Sequence, residues 1–412
     1  MKKFRFEYFA SCPVGFEEVL CEEIQSFGAK STKIMRGGVF FEAFHEIALK
    51  AILYSRVASR IFKYLYQFDV LNEKDYYLEA TDIKWKSLMT KDQTFRLTTI
   101  FGDLPREREE FRNSQFANLK LKDAIVDYFR HHDGDRPSVA KDFPDVSILA
   151  KIDRGEEKPY SVTIMYDLCG DSLHERGYRF SKTEAPVKEN VAAGILKLLK
   201  WNPKEENFID AMCGSGTFVI EAAMMAADIP PTFIKIAQHV KHPDYIHWTF
   251  QNYPWLTKDE HLLQNFKNYV QDILDQTEKG LAFLKNHPHL IRGNEISGVV
   301  FESAKENLRK AKLDEVVKLT KGDALEVKPT DKKTLFFVNP PYGERLEFAQ
   351  EERLKTLYKG LGDHWKHEFK THRAGLFTGN LEMLKVVGLK SAKRHVLFNG
   401  DIECRLAEYH LY

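Results

Sequence analysis

Leu335-Phe336-Phe337-Val338 is an unbroken apolar run that ends at once in Asn339-Pro340-Pro341. A run this short and this apolar suits a strand buried on both faces, as in the middle of a parallel sheet covered by helices. Two prolines cannot donate to a ladder, so the chain must leave the sheet at Asn339 through a stiff turn. The run therefore suits a fully buried strand with a polar side chain emerging at its end. Asn339 Oδ1 and the Pro340 carbonyl would offer two acceptors at fixed spacing, and Tyr342 a ring face. Together they suit an exocyclic base amine: two N–H bonds accepted, the nitrogen drawn toward tetrahedral geometry, its lone pair freed and the flipped base stacked. Neither a metal nor a charged base is needed for this. Asn-Pro and Pro-Pro are also ordinary turn chemistry, so the rest of the chain must separate the two readings.

From residue 185 onward strand and helix alternate as in a doubly wound parallel sheet. An amphipathic helix is expected from Ala185-Pro186 through Leu199. Asn207–Asp210 reads as the next strand, Ala211–Thr217 as a glycine loop and Phe218–Ala227 as a helix. Gly214 and Gly216 let backbone approach a ligand, and the helix N-terminus can meet a carboxylate; an ordinary glycine turn is the plainer alternative. The loop has neither Gly-x-Gly-x-x-Gly nor Gly-Lys-Ser/Thr, which argues against a nicotinamide oxidoreductase and against ATP. Glu295 closes the following strand, where such sheets hydrogen-bond a ribose, and Gly322-Asp323-Ala324 closes the one after, suited to an adenine amine. Residues 228–290 read as an insertion whose Trp248, Phe250, Tyr253 and Trp255 form either a satellite core or a stacking platform. At the end, Asn399-Gly400 predicts a type I′ hairpin with Ile402, Cys404 and Leu406 facing inward.

Upstream, residues 1–60 read as a small α+β module, with amphipathic helices at Phe16–Phe27 and Ile47–Arg60. Residues 61–168 form a second unit with a helix over Asn118–Phe129 and two closing strands. Its basic residues include Arg106, Arg108, Arg112, Lys120, Lys122, Arg130 and Arg136, diluted by Glu107, Glu109 and Glu110. A formal net charge of +1 over 412 residues rules out a global polycation, so any nucleic acid must be held by local patches. Residues 169–184 are a linker in which Arg176, Tyr178 and Arg179 could hold a phosphate and a base, or simply pack a hinge. The five cysteines lack zinc-ligand spacing and read as thiols of a reducing compartment. No segment has the apolar length to span a bilayer, so the cytoplasm is expected, without a membrane partner or a metal.

The motifs Asp210-Ala-Met-Cys-Gly-Ser-Gly-Thr217, Gly293-Asn-Glu295, Gly322-Asp323 and Asn339-Pro-Pro-Tyr-Gly-Glu-Arg-Leu346 resemble those of class I S-adenosylmethionine (SAM)-dependent methyltransferases. Together with Leu173-His-Glu-Arg-Gly-Tyr-Arg179 and the terminal hairpin, they resemble the RlmL-like branch, whose members methylate guanine N2 of 23S ribosomal RNA. That resemblance implies a ferredoxin-like module (1–60), a THUMP RNA-binding domain (61–168), a linker (169–184) and a Rossmann-like methyltransferase domain (185–412). It implies SAM as cofactor and structured RNA, 23S rRNA or a ribosome precursor, as partner. By matched position Asp210, Cys213, Gly214, Ser215, Gly216 and Thr217 would border the methionine end of the cofactor. Glu295 would take the ribose and Asp323 with Ala324 the adenine, while Asn339, Pro340 and Tyr342 would hold the target base. Ala211, Glu295 and Ser297 depart from the commoner Pro, Asp and acidic residue. Two alternatives stay open: an adenine-N6 methyltransferase, and a non-catalytic RNA-binding assembly factor.

Overall fold

A computed structural model describes residues 6–102, 104, 111, 113–179, 187–242, 248–341 and 348–412, the side chains of 255 and 348–350 excepted. Its strands form two sheets. The first is built from β1 (Phe6–Ser11), β2 (Ser31–Met35), β3 (Gly38–Ala43), β4 (Arg60–Val70), β5 (Thr94–Phe101), β6 (Ser138–Val139), β7 (Val146–Arg154) and β8 (Tyr160–Asp167). Their order is β2-β3-β1-β4-β8-β7-β5-β6. β4 pairs with β1 at its start (Ser11 opposite Arg60) and with β8 along its length, so the two upstream units share one continuous sheet. That strand also explains why the helix expected over Ile47–Arg60 stops early, spanning His45–Tyr54: Arg60 already belongs to the ladder. The long helix of the second unit runs Ser114–Asp133, with Asn113 Oδ1 accepting from Phe116 N–H at one end and Gly134 at φ +70° at the other.

The second sheet holds β9 (Asn207–Asp210), β10 (Ile291–Glu295), β11 (Lys318–Lys321), β12 (Thr334–Val338), β13 (Arg373–Thr378), β14 (Lys393–Asn399) and β15 (Ile402–His410). The order β11-β10-β9-β12-β13-β15-β14 is parallel except at β15, which runs antiparallel between β13 and β14. The chain winds outward from β9 through β10 to β11, then restarts at β12 on the other side of β9. The topological switch point, where such sheets bind ligands, therefore lies between β9 and β12. All five residues of β12 are buried, as its uninterrupted apolar run requires. Phe337 packs against Phe218 of the Thr217–Ala226 helix with ring centroids 4.3 Å apart. Burial of such a ring is worth about 1.5–3 kcal/mol.

Two expectations need correction. The hairpin pairs Asn399 with Ile402, so its loop is Gly400-Asp401 with φ +62° at Gly400 and no positive φ at Asp401, the II′ pattern in place of I′. Cys404 and Leu406 are buried, but Ile402, at the loop, is 37% exposed. The helix near residue 185 spans Glu189–Leu198, and Ala185-Pro186 lie outside the described residues.

The insertion forms helices Phe233–Lys241 and Glu260–Lys285, with Trp248, Phe250 and Tyr253 buried beside them. These aromatics are a satellite core, not a stacking platform. Tyr253 Oη donates to the Asp167 carbonyl at 2.7 Å and accepts from Ser147 N–H at 3.1 Å, tying the insertion to β7 and β8. The ferredoxin-like module docks on the same domain. Arg56 donates to the carbonyls of Met224 and Ile229, just where the Thr217–Ala226 helix ends and a cation is favoured. Among the described residues no helix is long and apolar enough to cross a membrane.

Candidate active site

Register places the motif residues along one edge. Asp210 is the last residue of β9 and lies opposite Phe337 on β12 and Gly293 on β10. Asn339 is two residues beyond Phe337 and Glu295 two beyond Gly293, so all three polar residues leave the sheet at its carboxyl edge, around the switch point. β11 then delivers Gly322 and Asp323 to the same edge, with Gly322 N–H donating to the Glu295 carbonyl at 3.2 Å.

The glycine loop is held at nearly every residue. Ala211 N–H donates to the Phe337 carbonyl, Cys213 N–H to the Asn294 carbonyl, and Gly216 N–H to the Cys213 carbonyl. Gly214 N–H donates to Glu295 Oε2 at 3.0 Å, while Glu295 Oε1 accepts from Ser297 N–H at 2.8 Å. Gly214 at φ +56° and Gly216 at φ +87° adopt the left-handed conformation in which a Cβ is strained. Around Gly214 the ideal Cβ position meets nothing within 4 Å, so the backbone presents an open face there. Gly216 caps the Thr217–Ala226 helix without a side-chain hydrogen bond, leaving that terminus to other acceptors.

Two residues that sequence reasoning passed over brace this loop. Buried Asn294 donates from Nδ2 to the carbonyls of Ala211 and Gly322 and accepts on Oδ1 from Thr320, joining three strand ends. Asn307 donates to the Ser215 carbonyl at 2.9 Å from the Gly298–Lys310 helix. The signal for Asn307 was present: it falls on the inward stripe with Ala304, Leu308 and Ala311, where a polar residue needs a reason.

The electrostatics of the edge are unbalanced. Asp210 is fully buried, accepts on Oδ1 from Met212 N–H at 3.2 Å, and has no hydrogen-bond partner for Oδ2 among the described residues. Burial pushes its carboxyl up to about 8, against the pull of the Met212 amide and with a further push from Glu295. Burial likewise raises the Cys213 thiol well above its ordinary range, which suits a packing residue and not a nucleophile. Asn339 Oδ1 is the second buried oxygen here without a partner among the described residues. Pro340 is buried beside it, and Tyr342 lies outside the described residues. Asp323 is exposed, its Oδ1 accepting from Leu325 N–H at 2.9 Å, and Ala324 is buried. Ser215 is half-buried and Thr217 buried.

The linker residues fall elsewhere. Arg176 is 1% and Tyr178 0% exposed, and both are committed inside the protein. Arg176 donates to the Leu173 and Arg56 carbonyls at 2.6 Å and pairs with Glu221, whose Oε1 also accepts from Tyr178 at 3.4 Å. They pack a hinge, and the expectation of an RNA contact is corrected for both, since neither presents an atom to a partner. Arg179 is partly exposed and pairs with Glu189 at 2.7 Å. On the upstream unit Lys120, Lys122 and Arg130 sit in surface ion pairs with Glu73, Asp123 and Asp127, and Arg106, Arg108 and Arg112 lie outside the described residues.

A class I-like strand order, a braced glycine loop and carboxylates at successive strand ends are what a nucleotide-bearing cofactor requires. Residues 176–408, more than half of the chain, match the family described as "RMKL-like, methyltransferase domain". The chain belongs to this family. Residues 7–62 match the RlmL ferredoxin-like domain and residues 71–156 the THUMP domain. Among similar proteins, the ribosomal RNA large subunit methyltransferase K/L of Cellvibrio japonicus is 36% identical over 408 residues, covering 97% of this chain and 50% of that protein. The protein of the same name from Psychromonas ingrahamii is 35% identical over 406 residues, with 98% and 50% covered. The chain thus spans about half the length of the curated relatives it matches. The crystal structure of SMU.472 complexed with SAH superposes with a TM-score of 0.80 at 27% identity, covering 100% of this chain and 99% of that one. A Listeria monocytogenes structure named a "predicted N6-adenine-specific DNA methylase" has the same TM-score at 24% identity, covers 99% of this chain and 97% of its own, and shares the fold.

Proposed function

We propose that this chain is a SAM-dependent methyltransferase acting on an exocyclic base amine of large-subunit ribosomal RNA, with guanine N2 of 23S rRNA as the target. The observation that carries the reading is the pair of buried oxygens without a partner among the described residues, Asp210 Oδ2 and Asn339 Oδ1, on either side of the switch point. Leaving a buried acceptor unpaired costs about 1–3 kcal/mol, a cost that persists where a ligand supplies the missing donor. The names of the relatives, and SAH in the SMU.472 structure, support SAM and rRNA.

The residues fit SAM. Asp210 would face the ammonium of the methionine end and the Gly216-capped helix terminus its carboxylate. Glu295 would take the ribose hydroxyls and Asp323 with Ala324 the adenine. When bound, the sulfonium supplies an activated methyl group. Asn339 Oδ1 and the Pro340 carbonyl would accept the two N–H bonds of the amine and orient its lone pair, and Tyr342 would offer the base a ring face. Orientation of this kind contributes roughly 7 kcal/mol or more. Upstream, the working division into residues 1–60, 61–168 and a linker at 169–184 assigns the THUMP unit to gripping structured RNA by backbone and shape. Surface ion pairs such as Lys120–Glu73 are weak enough for phosphates to displace.

Asn339→Ala should lower turnover by about 10²–10³ while leaving SAM affinity within about twofold, measured by single-turnover methylation and calorimetry. Wild-type turnover in that variant would sink the assignment. Nucleoside analysis of methyl-labelled 23S rRNA decides the target: label in N2-methylguanosine supports the reading, and label in N6-methyladenosine replaces it with the adenine alternative.

A further inference from the structure

A groove of about 380 Å³ opens between three parts of the chain that are distant in sequence. Val14, after β1, and Arg36, in the β2–β3 turn, form one wall. Lys188 and Val191, at the start of the Glu189–Leu198 helix, form the second, and Phe398 and Asp401 of the terminal hairpin the third. Its volume is within the roughly 300–1,000 Å³ of ligand clefts.

Two relationships put the groove at the catalytic edge. β15 pairs Arg405 with Thr378, the last residue of β13, so residues 399–404 project past the carboxyl ends of the parallel strands. The Val187 carbonyl, next to Lys188, accepts from Arg179 at 2.6 Å, and the same Arg179 nitrogen lies 3.4 Å from Thr217 Oγ1 where the glycine loop becomes helix. The walls are also fixed relative to one another. A Cβ on Gly15 would lie 2.7 Å from the Val396 carbonyl oxygen, and one on Gly194 would lie 2.4 Å from the Phe16 ring, so the ferredoxin-like module is seated against both hairpin and helix. Arg36 and Lys188 are exposed, and neither side chain enters an ion pair among the described residues. Among the described lining residues two are cations, Arg36 and Lys188, and one is an anion, Asp401, while Val14, Val191 and Phe398 are apolar.

We infer that this groove carries the single-stranded RNA flanking the target nucleotide, with its phosphates on Arg36 and Lys188 and a base or sugar on the apolar side chains. Asp401 repels phosphate from the hairpin side, so the backbone runs between Arg36 and Lys188 on the other two walls. The ferredoxin-like module is then part of the substrate site and not only a spacer for the THUMP unit. This rests on the methyltransferase reading above, and the contacts position the strand without reading its sequence.

The test compares the full chain with its Arg36→Gln/Lys188→Gln double variant, using a 23S rRNA transcript as probe. RNA affinity is measured across a salt series, SAM affinity by calorimetry and folding by thermal melting. The double variant should bind RNA about tenfold more weakly, with a log–log salt slope shallower by about 1.4, and should keep wild-type SAM affinity and melting. Unchanged RNA affinity and slope, with wild-type methylation intact, would overturn the groove and leave the methyltransferase reading standing. RNA binding that weakens in the variant while the wild type transfers no methyl group would do the reverse. A wild-type chain that does not bind the transcript overturns both.

Discussion

Asp210 and Glu221 are both wholly buried carboxyl groups, one at the end of β9 and the other in the helix that follows it. Each loses its hydration, yet the protein treats them differently. Glu221 meets Arg176 at 3.4 Å and feels the charge of Arg56, so two arginines pull down a carboxyl that burial raises. For Asp210 burial, opposed by one backbone amide and reinforced by the like-charged Glu295, leaves the carboxyl at about 8. The first carboxyl has arginine counter-charges beside it and fastens the linker to the catalytic domain through Oε1, although its Oε2, like Asp210 Oδ2, has no hydrogen-bond partner among the described residues. Among the described residues the second has no counter-charge, which is the condition of a site that expects one from a ligand.

The comparison breaks if the two positions respond alike to substitution. Glu221→Gln should destabilise the protein by about 3–5 kcal/mol in urea unfolding, because it strands Arg176 among buried groups, and should leave SAM affinity near wild type in the folded fraction. Asp210→Asn should do the opposite: stability is retained or gained above neutral pH, while SAM affinity falls by about 10- to 100-fold in calorimetry, as for a lost charged hydrogen bond of about 1.5–3 kcal/mol. Equal losses of stability in the two variants would abolish the distinction.

Titration sharpens it. The native carboxyl of Asp210, at about 8, lies above its unfolded value near 3.9, so between these pH values the native state holds a proton that the unfolded state has released. Its contribution to stability is therefore full below about pH 4 and is lost as pH rises through about 8. Melting of the ligand-free protein should show this decline, and Asp210→Asn should remove it. SAM affinity should move the other way, rising up to about pH 8 as the carboxylate that receives an ammonium is populated. The smallest effect concerns seating of the N-terminal module. Gly15→Ala, at φ +96° and against the Val396 carbonyl, should cost about 1–3 kcal/mol and weaken RNA binding more than SAM binding.

Much of the catalytic domain was legible without coordinates because its signals are local. The Leu335–Val338 run, the prolines after Asn339, the glycines at 214 and 216 and the carboxylates at successive strand ends are properties of adjacent residues. Chain stiffness and periodicity turn them directly into a buried strand, a turn and a glycine loop at the sheet edge. The hairpin showed the limit of that reasoning. Asn399-Gly400 signalled a turn correctly, but pairing along β15 moved the loop by one residue and left Ile402 partly exposed.

The sequence by itself determined an α/β sheet, the residues at its carboxyl edge, and an Asn-Pro-Pro turn after its central strand. Only the tertiary structure decided which charges are spent and which are available. Arg176 and Tyr178 read as candidate RNA contacts until the helix carrying Glu221 and the Arg56 carbonyl closed over them. Asn294 and Asn307 gained their bracing roles from strand ends and loops far along the chain, and Arg36 came to line the same groove as Lys188 only through domain docking. The reason is that burial and counter-charge are non-local. They depend on which segments, dozens to hundreds of residues away, pack against a side chain, and no spacing within its own segment encodes that.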